Sequence, residues 1–484
     1  MDKHTIMQYF EWYLPADSQH WKRLAEDAEH LSQIGIGMVW MPPAFKATGL
    51  NDVGYGIYDL YDLGEFDQKG TIPTKYGTKD DYLEAIQALK QHGIRPIADI
   101  VLNHKAGGDE LETFQVRKMN PTNRQEALSE PYEIQGWTGF TFPGRQKQYS
   151  DFNWHWYHFD GLDYDALHEE TGIYQIVGDN KGWADQNQVD TENGNYDYLM
   201  FDDIDFKHPD VVAHLKEWAQ WFLETTGVTG FRLDAVKHIS EDFMADFIAY
   251  AKTLQPELYA FGEFWKDDID TTLRYLDGTN YQYDLVDVGL HMNLYQASQN
   301  GADYDLTTIF DGSLVQIKPQ SSVTFVENHD TQAGQALQSK VEDWFKPIAY
   351  GLILLRQEGL PCVFYGDYYG IEGDFAQPSF QEDLDKLLYL RQHYVYGQQT
   401  DYFDHPNCIA WTQSGDEEHP QSLAVVLSNS EAGWKRLDMG TLNAGKTFVD
   451  YLGRCADKIV IEEDGWASFP VQGGSISAWI EESI

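Results

Sequence analysis

Apolar positions along this chain follow two rhythms. Short apolar or alternating runs occur at IMQYFEW, IGMVWMPPAF and IRPIADIVLNH, and after a long gap at TGFRLDAVKH, LYAFGEFW, YDLVDVGL, SSVTFVENHD and PCVFYGDYYG. Each reads as a strand. Between them, stretches at 21–35, 80–92, 209–224 and 241–254 carry apolar residues three and four apart and read as helices. Strands alternating with helices predict a parallel sheet. Eight such strands favour a closed (β/α)8 barrel over an open doubly wound sheet. No Gly-rich phosphate loop follows any of them, which weighs against dinucleotide binding.

The rhythm breaks twice. From 105 to 207 helical patterns are scarce, and Asp, Asn, Gly and aromatic residues dominate, as in DFNWHWYHFDGLDYD. A loop of this length is disordered or an inserted functional unit, and its aromatic content argues against disorder. From 397 onward the runs are short strands: CIAWT, SLAVVLSN, TFVDYL, GWASFPV and ISAWIE. The expected organisation is a barrel from 1–104 and 208–396, an irregular β-rich domain at 105–207 inserted after the third strand, and a C-terminal antiparallel β-sandwich at 397–484.

Charge narrows the partners. Thirty-four basic against seventy-eight acidic residues leave a formal charge of −44 over 484 residues. Phosphate backbones and anionic lipid surfaces would be repelled, so neither nucleic acid nor a membrane is an expected partner. No run of eighteen apolar residues occurs, and MDKHTIMQYFEWY lacks the basic-then-apolar pattern of a signal peptide. Cys362, Cys408 and Cys455 are too few and too scattered for a disulfide framework or a zinc site. A cytoplasmic protein, acting as a monomer, is the expectation.

The strand ends carry the chemistry. In GFRLDAVKH, Phe231, Leu233 and Ala235 alternate with Arg232 and Asp234, and Lys237 and His238 follow. Burying that much charge in a strand requires a reason. The third strand ends in Asp99, Asn103 and His104, the fifth in Glu263, and the seventh in Glu327, Asn328, His329 and Asp330. Active residues of such barrels sit at the C-terminal strand ends, so Asp234, Glu263 and Asp330 should converge. Clustered carboxylates with histidines suit glycoside hydrolysis, which needs one ionised and one protonated carboxyl. Arg232, on the face of Asp234, favours its ionised form. Glu263, among Phe261, Phe264 and Trp265, should hold its proton. Trp265 suits a sugar platform, as Trp137 and Trp183 also could, whereas Trp40, Trp218 and Trp221 read as core.

DIVLNH, GFRLDAVKH, FGEFW and FVENHD, in that order, resemble the four signature segments of the α-amylase family of glycoside hydrolases. MQYFEWY, DVGYGIYDLYDLGEF and NGNYDYLM resemble the liquefying bacterial members in particular. The resemblance implies retaining hydrolysis of α-1,4-glucosidic bonds in starch, glycogen and maltodextrins. By it, Asp234 matches the nucleophile, Glu263 the acid/base and Asp330 the third carboxylate. His104 and His329 match histidines that bond the sugar, Tyr55 a stacking tyrosine, and Arg232 the arginine beside the nucleophile. Lys237 and His238 match positions on the reducing-end side. Two alternatives stay open: a transglycosylase or maltooligosaccharide-forming relative, and a glucan-binding protein without catalysis.

The resemblance also implies a structural calcium ion held by Asn103, Asp197, Asp203 and the backbone carbonyl of His238, oxygen ligands of the kind calcium takes. It further brings a second calcium and a sodium, for which Asp160, Asp185 and Asp205 match some ligands. Lys207 departs from that pattern, standing where an aspartate is expected. At a further calcium position, Pro406 and Asn407 replace the ligands, so that ion is not expected.

Overall fold

The computed structural model describes residues 4–482. Eight short strands form a closed parallel barrel: β1 (Ile6–Gln8), β2 (Met38–Met41), β3 (Arg95–Ile100), β4 (Gly230–Leu233), β5 (Tyr259–Gly262), β6 (Asp284–Val286), β7 (Ser322–Phe325) and β8 (Leu360–Phe364). Neighbours pair in chain order, and β8 closes on β1 through Ile6 opposite Cys362. All eight strands read from the sequence are present. The register sets Arg232 opposite Asp99 on one side and Phe261 on the other. Phe231 and Leu233 are buried in the core that the helices cover. Arg232 faces the opposite way, into the barrel, because successive side chains alternate.

The helices begin and end where local chemistry says they should. Helix α1 (His20–Gln33) buries Trp21, Leu24, Ala28 and Leu31, a stripe at three- and four-residue spacing. Helix α2 (Lys79–Gln91) starts at a capping box, in which Thr78 and Asp81 satisfy each other's backbone N–H. Helix α3 (Pro209–Thr226) has proline at its first turn and ends at Gly227, whose φ of 63° closes the helix in the left-handed region.

Between β3 and β4 the chain leaves the barrel and builds an antiparallel sheet. Its order runs His104–Lys105, Asp202–Ile204, Phe159–Asp165, Glu170–Ile176, Glu110–Asn120 and Asn123–Ala127, with Tyr132–Gly139 also paired to Glu110–Asn120. One pairing matters for the site: Asp203 lies opposite His104, and the Ile204 N–H donates to the Asn103 carbonyl. That register brings the far end of the excursion back onto the end of β3.

The C-terminal part is a six-stranded antiparallel sheet (Gln399–Tyr402 through Ser475–Glu481) with a two-stranded ribbon, Gly433–Asp438 and Trp466–Val471, packed on it. Val426, Leu437, Phe448, Phe469 and Trp479 fill the space between. Three of its strands, Gln399–Tyr402, Gly433–Asp438 and Lys458–Val460, were not among those read from the sequence. Where the resemblance would put a further calcium, amide donors are found instead. Asn407 Nδ2 donates to the Ala302 carbonyl at 2.7 Å, and Asn429 Nδ2 donates to the carbonyls of Gly301 and Tyr304 at 2.8 Å. A bidentate Arg356–Asp401 pair at 2.8 and 2.9 Å further ties this part to the barrel.

Candidate active site

Arg232 is the hub. Its guanidinium is 1% exposed and donates to three carboxylates: Asp99 at 2.9 Å, Asp234 Oδ1 at 2.6 Å and Glu263 Oε2 at 2.6 Å. The planar fork of five N–H donors lets one arginine spread over several acceptors. Burial pushes Glu263 up to about 8; Arg232 opposes the shift, and Asp330 and Asp234 add to it. Glu263 Oε2 is engaged by Arg232 and, at 3.4 Å, by the Ala235 N–H, so the proton belongs on Oε1. Burial also raises Asp234, and the arginine beside it offsets this without cancelling it. Arg232 thus serves more than its strand neighbour Asp234: it bridges the nucleophile and acid candidates together.

Asp99 lies near the end of β3. It accepts from Arg232, from Trp40 Nε1 at 2.9 Å and from the Tyr55 hydroxyl at 2.9 Å, and burial lifts it to about 6. Trp40, read as core, is therefore also a floor for the site, with the Arg232 guanidinium 4.9 Å above its ring.

Asp330 faces this group from β7. Its carboxylate is a quarter exposed to the cleft, and its Oδ2 lies 3.2 Å from His329 Nε2. Burial and the charges of Asp234 and Asp99 raise its proton affinity, tempered by that exposure to water. Gln8 Nε2 donates to His329 Nδ1 at 2.9 Å, leaving Nε2 to carry the hydrogen. Trp12, Tyr55 and His329 present parallel rings, with Tyr55 and His329 centroids 5.1 Å apart. Gln8 ends β1 and Trp12 follows it within MQYFEWY, a run that does not announce their meeting with His329. His104 lines the cleft, but both ring nitrogens have protein partners: Nε2 donates to the Tyr55 carbonyl at 2.7 Å, and Nδ1 accepts from Asn103 Nδ2 at 3.3 Å.

After Asp234 the chain turns sharply. Ala235 sits at φ 49°, ψ 37°, a left-handed conformation costing about 1–2 kcal/mol for a residue with a Cβ. The turn exposes Asp234 to the cleft and starts the 3-10 segment Val236–His238. Lys237 Nζ reaches Glu192 Oε2 at 2.8 Å and the Trp265 carbonyl at 3.1 Å. His238 Nδ1 donates to the Tyr196 carbonyl at 2.7 Å. Both thus connect the barrel to the inserted sheet region.

A cleft of about 900 Å³ opens over these groups. Asp234, Glu263 and Asp330 line it together with Tyr55, His104, Lys237, His238, Trp265 and His329, while Arg232 lies beneath. Trp137 and Trp183 do not line it. Glu327 also turns away: it pairs with buried Lys346 at 3.2 Å and is structural.

A second cluster lies beside the end of β3. Asn103, Asp160, Asp197, Asp203 and Asp205 are all at most 3% exposed. Asn103 Oδ1, Asp160 Oδ1 and Asp203 Oδ2 are buried without a hydrogen-bond partner among the described residues. Burial and mutual repulsion push Asp160 and Asp203 well above the usual carboxylate range, and Asp197 to about 7. Such oxygens need a counter-charge, and oxygen-only donors suit a hard cation such as calcium. Asp185 is exposed and borders a small pocket shared with Asp160, Asp197 and Lys207.

Comparison with known proteins agrees with this geometry. Residues 19–425 match the family described as "Alpha amylase, catalytic domain", and residues 423–480 match "Alpha-amylase C-terminal". A "Glucan 1,4-alpha-maltohexaosidase" of Bacillus sp. (strain 707) is 48% identical over 99% of this chain and 92% of its own length. An "Alpha-amylase" of Geobacillus stearothermophilus is 49% identical over 98% and 86%. A "Cytoplasmic alpha-amylase" of Escherichia coli (strain K12) is 45% identical over 99% of both. The crystal structure of an α-amylase from Geobacillus thermoleovorans in complex with acarbose superposes with a TM-score of 0.67 at 18% identity, covering 100% of this chain and 98% of that one. The chain belongs to the α-amylase family of glycoside hydrolases.

Proposed function

We propose that the protein is an α-amylase that cleaves α-1,4-glucosidic bonds inside starch, glycogen and maltodextrin chains with retention. The observation that carries this is the Arg232 guanidinium holding Asp234 and Glu263 side by side on the cleft floor. A carboxylate and a protonated carboxyl on one cleft floor are the pair that retaining hydrolysis uses. Glu263 gives its Oε1 proton to the glycosidic oxygen as Asp234 attacks the sugar C1, forming a glycosyl–aspartate and releasing the reducing-end fragment. Glu263, now ionised, takes a proton from water, which displaces Asp234. Asp330 and His329 hold sugar hydroxyls as the ring flattens. Tyr55 and Trp265 offer aromatic faces to the sugar, and Lys237 and His238 flank the reducing-end side. His104 joins the sugar contacts if its bond to the Tyr55 carbonyl is shared.

Asn103, Asp197, Asp203 and the His238 carbonyl are the residues that would hold a structural calcium ion. Unpartnered Asn103 Oδ1 and Asp203 Oδ2 support this. The bound ion would supply no chemistry at the sugar; it would fasten the inserted sheet to the ends of β3 and β4. The barrel is read as 1–104 plus 208–396, the inserted unit as 105–207, and the C-terminal unit as 397–484.

The cytoplasm is the compartment we assign. The three cysteines are buried and unpaired, and a cytoplasmic α-amylase is among the relatives. Among the described residues no helix is long and apolar enough to cross a membrane. A monomer is the oligomeric state we assign. A second reading, release of a fixed short maltooligosaccharide, is favoured by the similarity to a maltohexaosidase. The product profile on amylose and maltoheptaose, with and without chelator, tests both. Early release of mixed maltooligosaccharides supports endo-cleavage, one dominant product supports the second reading, and absence of reducing ends would contradict both.

A further inference from the structure

Two lysines sit against the buried acid cluster like ions. Lys181 is nearly buried, with a side chain 6% exposed. Its ammonium is held by the Tyr157 carbonyl at 2.6 Å, the Phe159 carbonyl at 3.1 Å and Asp205 Oδ2 at 2.6 Å. Three donors meet three oxygens, so the group is fully satisfied. Lys207 approaches from the other side. Its ammonium reaches the Gly182 carbonyl, the Trp183 carbonyl at 3.2 Å and Asp160 Oδ2 at 3.8 Å, at the edge of the small pocket bordered by Asp160, Asp185 and Asp197. Each cradle is two backbone carbonyls and one carboxylate, the donor set a hard cation takes.

The charges point the same way. Asp160, Asp197, Asp203 and Asp205 oppose one another at close range. Lys181 and Lys207 pair with two of the four, Asp205 and Asp160. Asp197 and Asp203 remain, and Asn103 Oδ1, Asp160 Oδ1 and Asp203 Oδ2 have no hydrogen-bond partner among the described residues. That remainder offers oxygen ligands for one cation. Arg124 adds positive charge on the Asp203 side while its guanidinium donates to the Tyr198 carbonyl and lies over the Tyr196 ring.

We propose that Lys181 and Lys207 are tethered cations: they fill the oxygen cradles beside the acid cluster, which therefore takes a single divalent ion and no auxiliary metal. The inference rests on the calcium reading given above. A side-chain ammonium cannot be chelated away or diluted out, so this part of the fold would keep its shape at low free calcium and sodium.

The test is metal stoichiometry of the whole protein, stripped with chelator and titrated with Ca²⁺ by calorimetry, with metal content checked by mass spectrometry after gel filtration. One equivalent per chain is expected for the native protein, with no change in Tm on exchanging Na⁺ for K⁺. Lys207→Asp turns its cradle into two carbonyls and two carboxylates and should raise the count to two. Lys181→Met, which frees Asp205 and two carbonyls, should make Tm depend on Na⁺ or on a second Ca²⁺. Lys207 is 42% exposed on its side chain, so its variant should fold even if the Lys181 variant does not. Two or more equivalents in the native protein, or one in Lys207→Asp, would overturn the tethered-cation role while leaving the calcium reading intact. Zero equivalents in the native protein would remove both.

Discussion

Arg232 donates to Glu263 Oε2 at 2.6 Å, the same distance at which it holds Asp234 Oδ1. One cation thus fixes the relative position of the two carboxyls proposed as nucleophile and acid. Burial outweighs that shared arginine at Glu263 and leaves it protonated to about pH 8. The arginine is a positioning residue, and the proton inventory of the cleft depends on it.

Glu263→Gln should reduce kcat on amylose by about 10³-fold or more, equivalent to ~4 kcal/mol of barrier. The loss should be far smaller on a maltosyl fluoride, whose leaving group needs no proton. In the native enzyme kcat/KM should fall as pH rises through about 8, as Glu263 loses its proton. A pH–rate profile flat to pH 10 would contradict the acid role.

The same desolvation weakens the fold. The folded-state pKa of Glu263 lies above its unfolded value of 4.5, at about 8. Its contribution to stability is therefore full below about pH 4.5 and is lost as pH rises toward 8. Glu263→Gln keeps an oxygen for Arg232 and removes the titration, so it should gain about 1–3 kcal/mol at pH 9 and little at pH 4.5. Thermal unfolding at the two pH values checks this; an equal shift at both would contradict it.

Asp203→Asn should remove the calcium response. Ion binding to the native fold alone adds about 2.7 kcal/mol at a hundredfold excess over Kd. Calorimetry with and without chelator should show that gain in the native protein and none in the variant. An unchanged gain would place the ion elsewhere.

Lys346→Met should destabilise without entering the cleft. The lysine is wholly buried and holds Glu327 at 3.2 Å, Asp367 and Gln377 Oε1 at 3.2 Å. Its loss strands two buried carboxylates, at a cost of about 3–5 kcal/mol. Urea denaturation measures it, and the folded fraction should keep its kcat.

The barrel was legible because each strand is a short apolar run closed by polar residues, as in FVENHD and GFRLDAVKH. The trio was legible because it ends three such runs. Partners across strands were not: nothing along the chain says that Asp99 will meet Arg232, or that Gln8 and Trp12 will frame His329. Glu327 looked like a site residue beside Asn328 and His329, yet it points at Lys346. The ribbon strand Gly433–Asp438 escaped notice because Lys435 occupies a buried position and anchors its ammonium on Asp404. The cradle of Lys181 is made largely of carbonyls, which every residue has, so no side-chain pattern announces it.

The most direct test is to trap the sugar on the enzyme. A 5-fluoro-α-glucosyl or maltosyl fluoride slows turnover of the intermediate, and peptide mass mapping then locates the adduct. A glycosyl group on the peptide containing Asp234, absent from Asp234→Asn, is the expected result. An adduct on Glu263 or Asp330, or none with β-configured first product, would contradict the account.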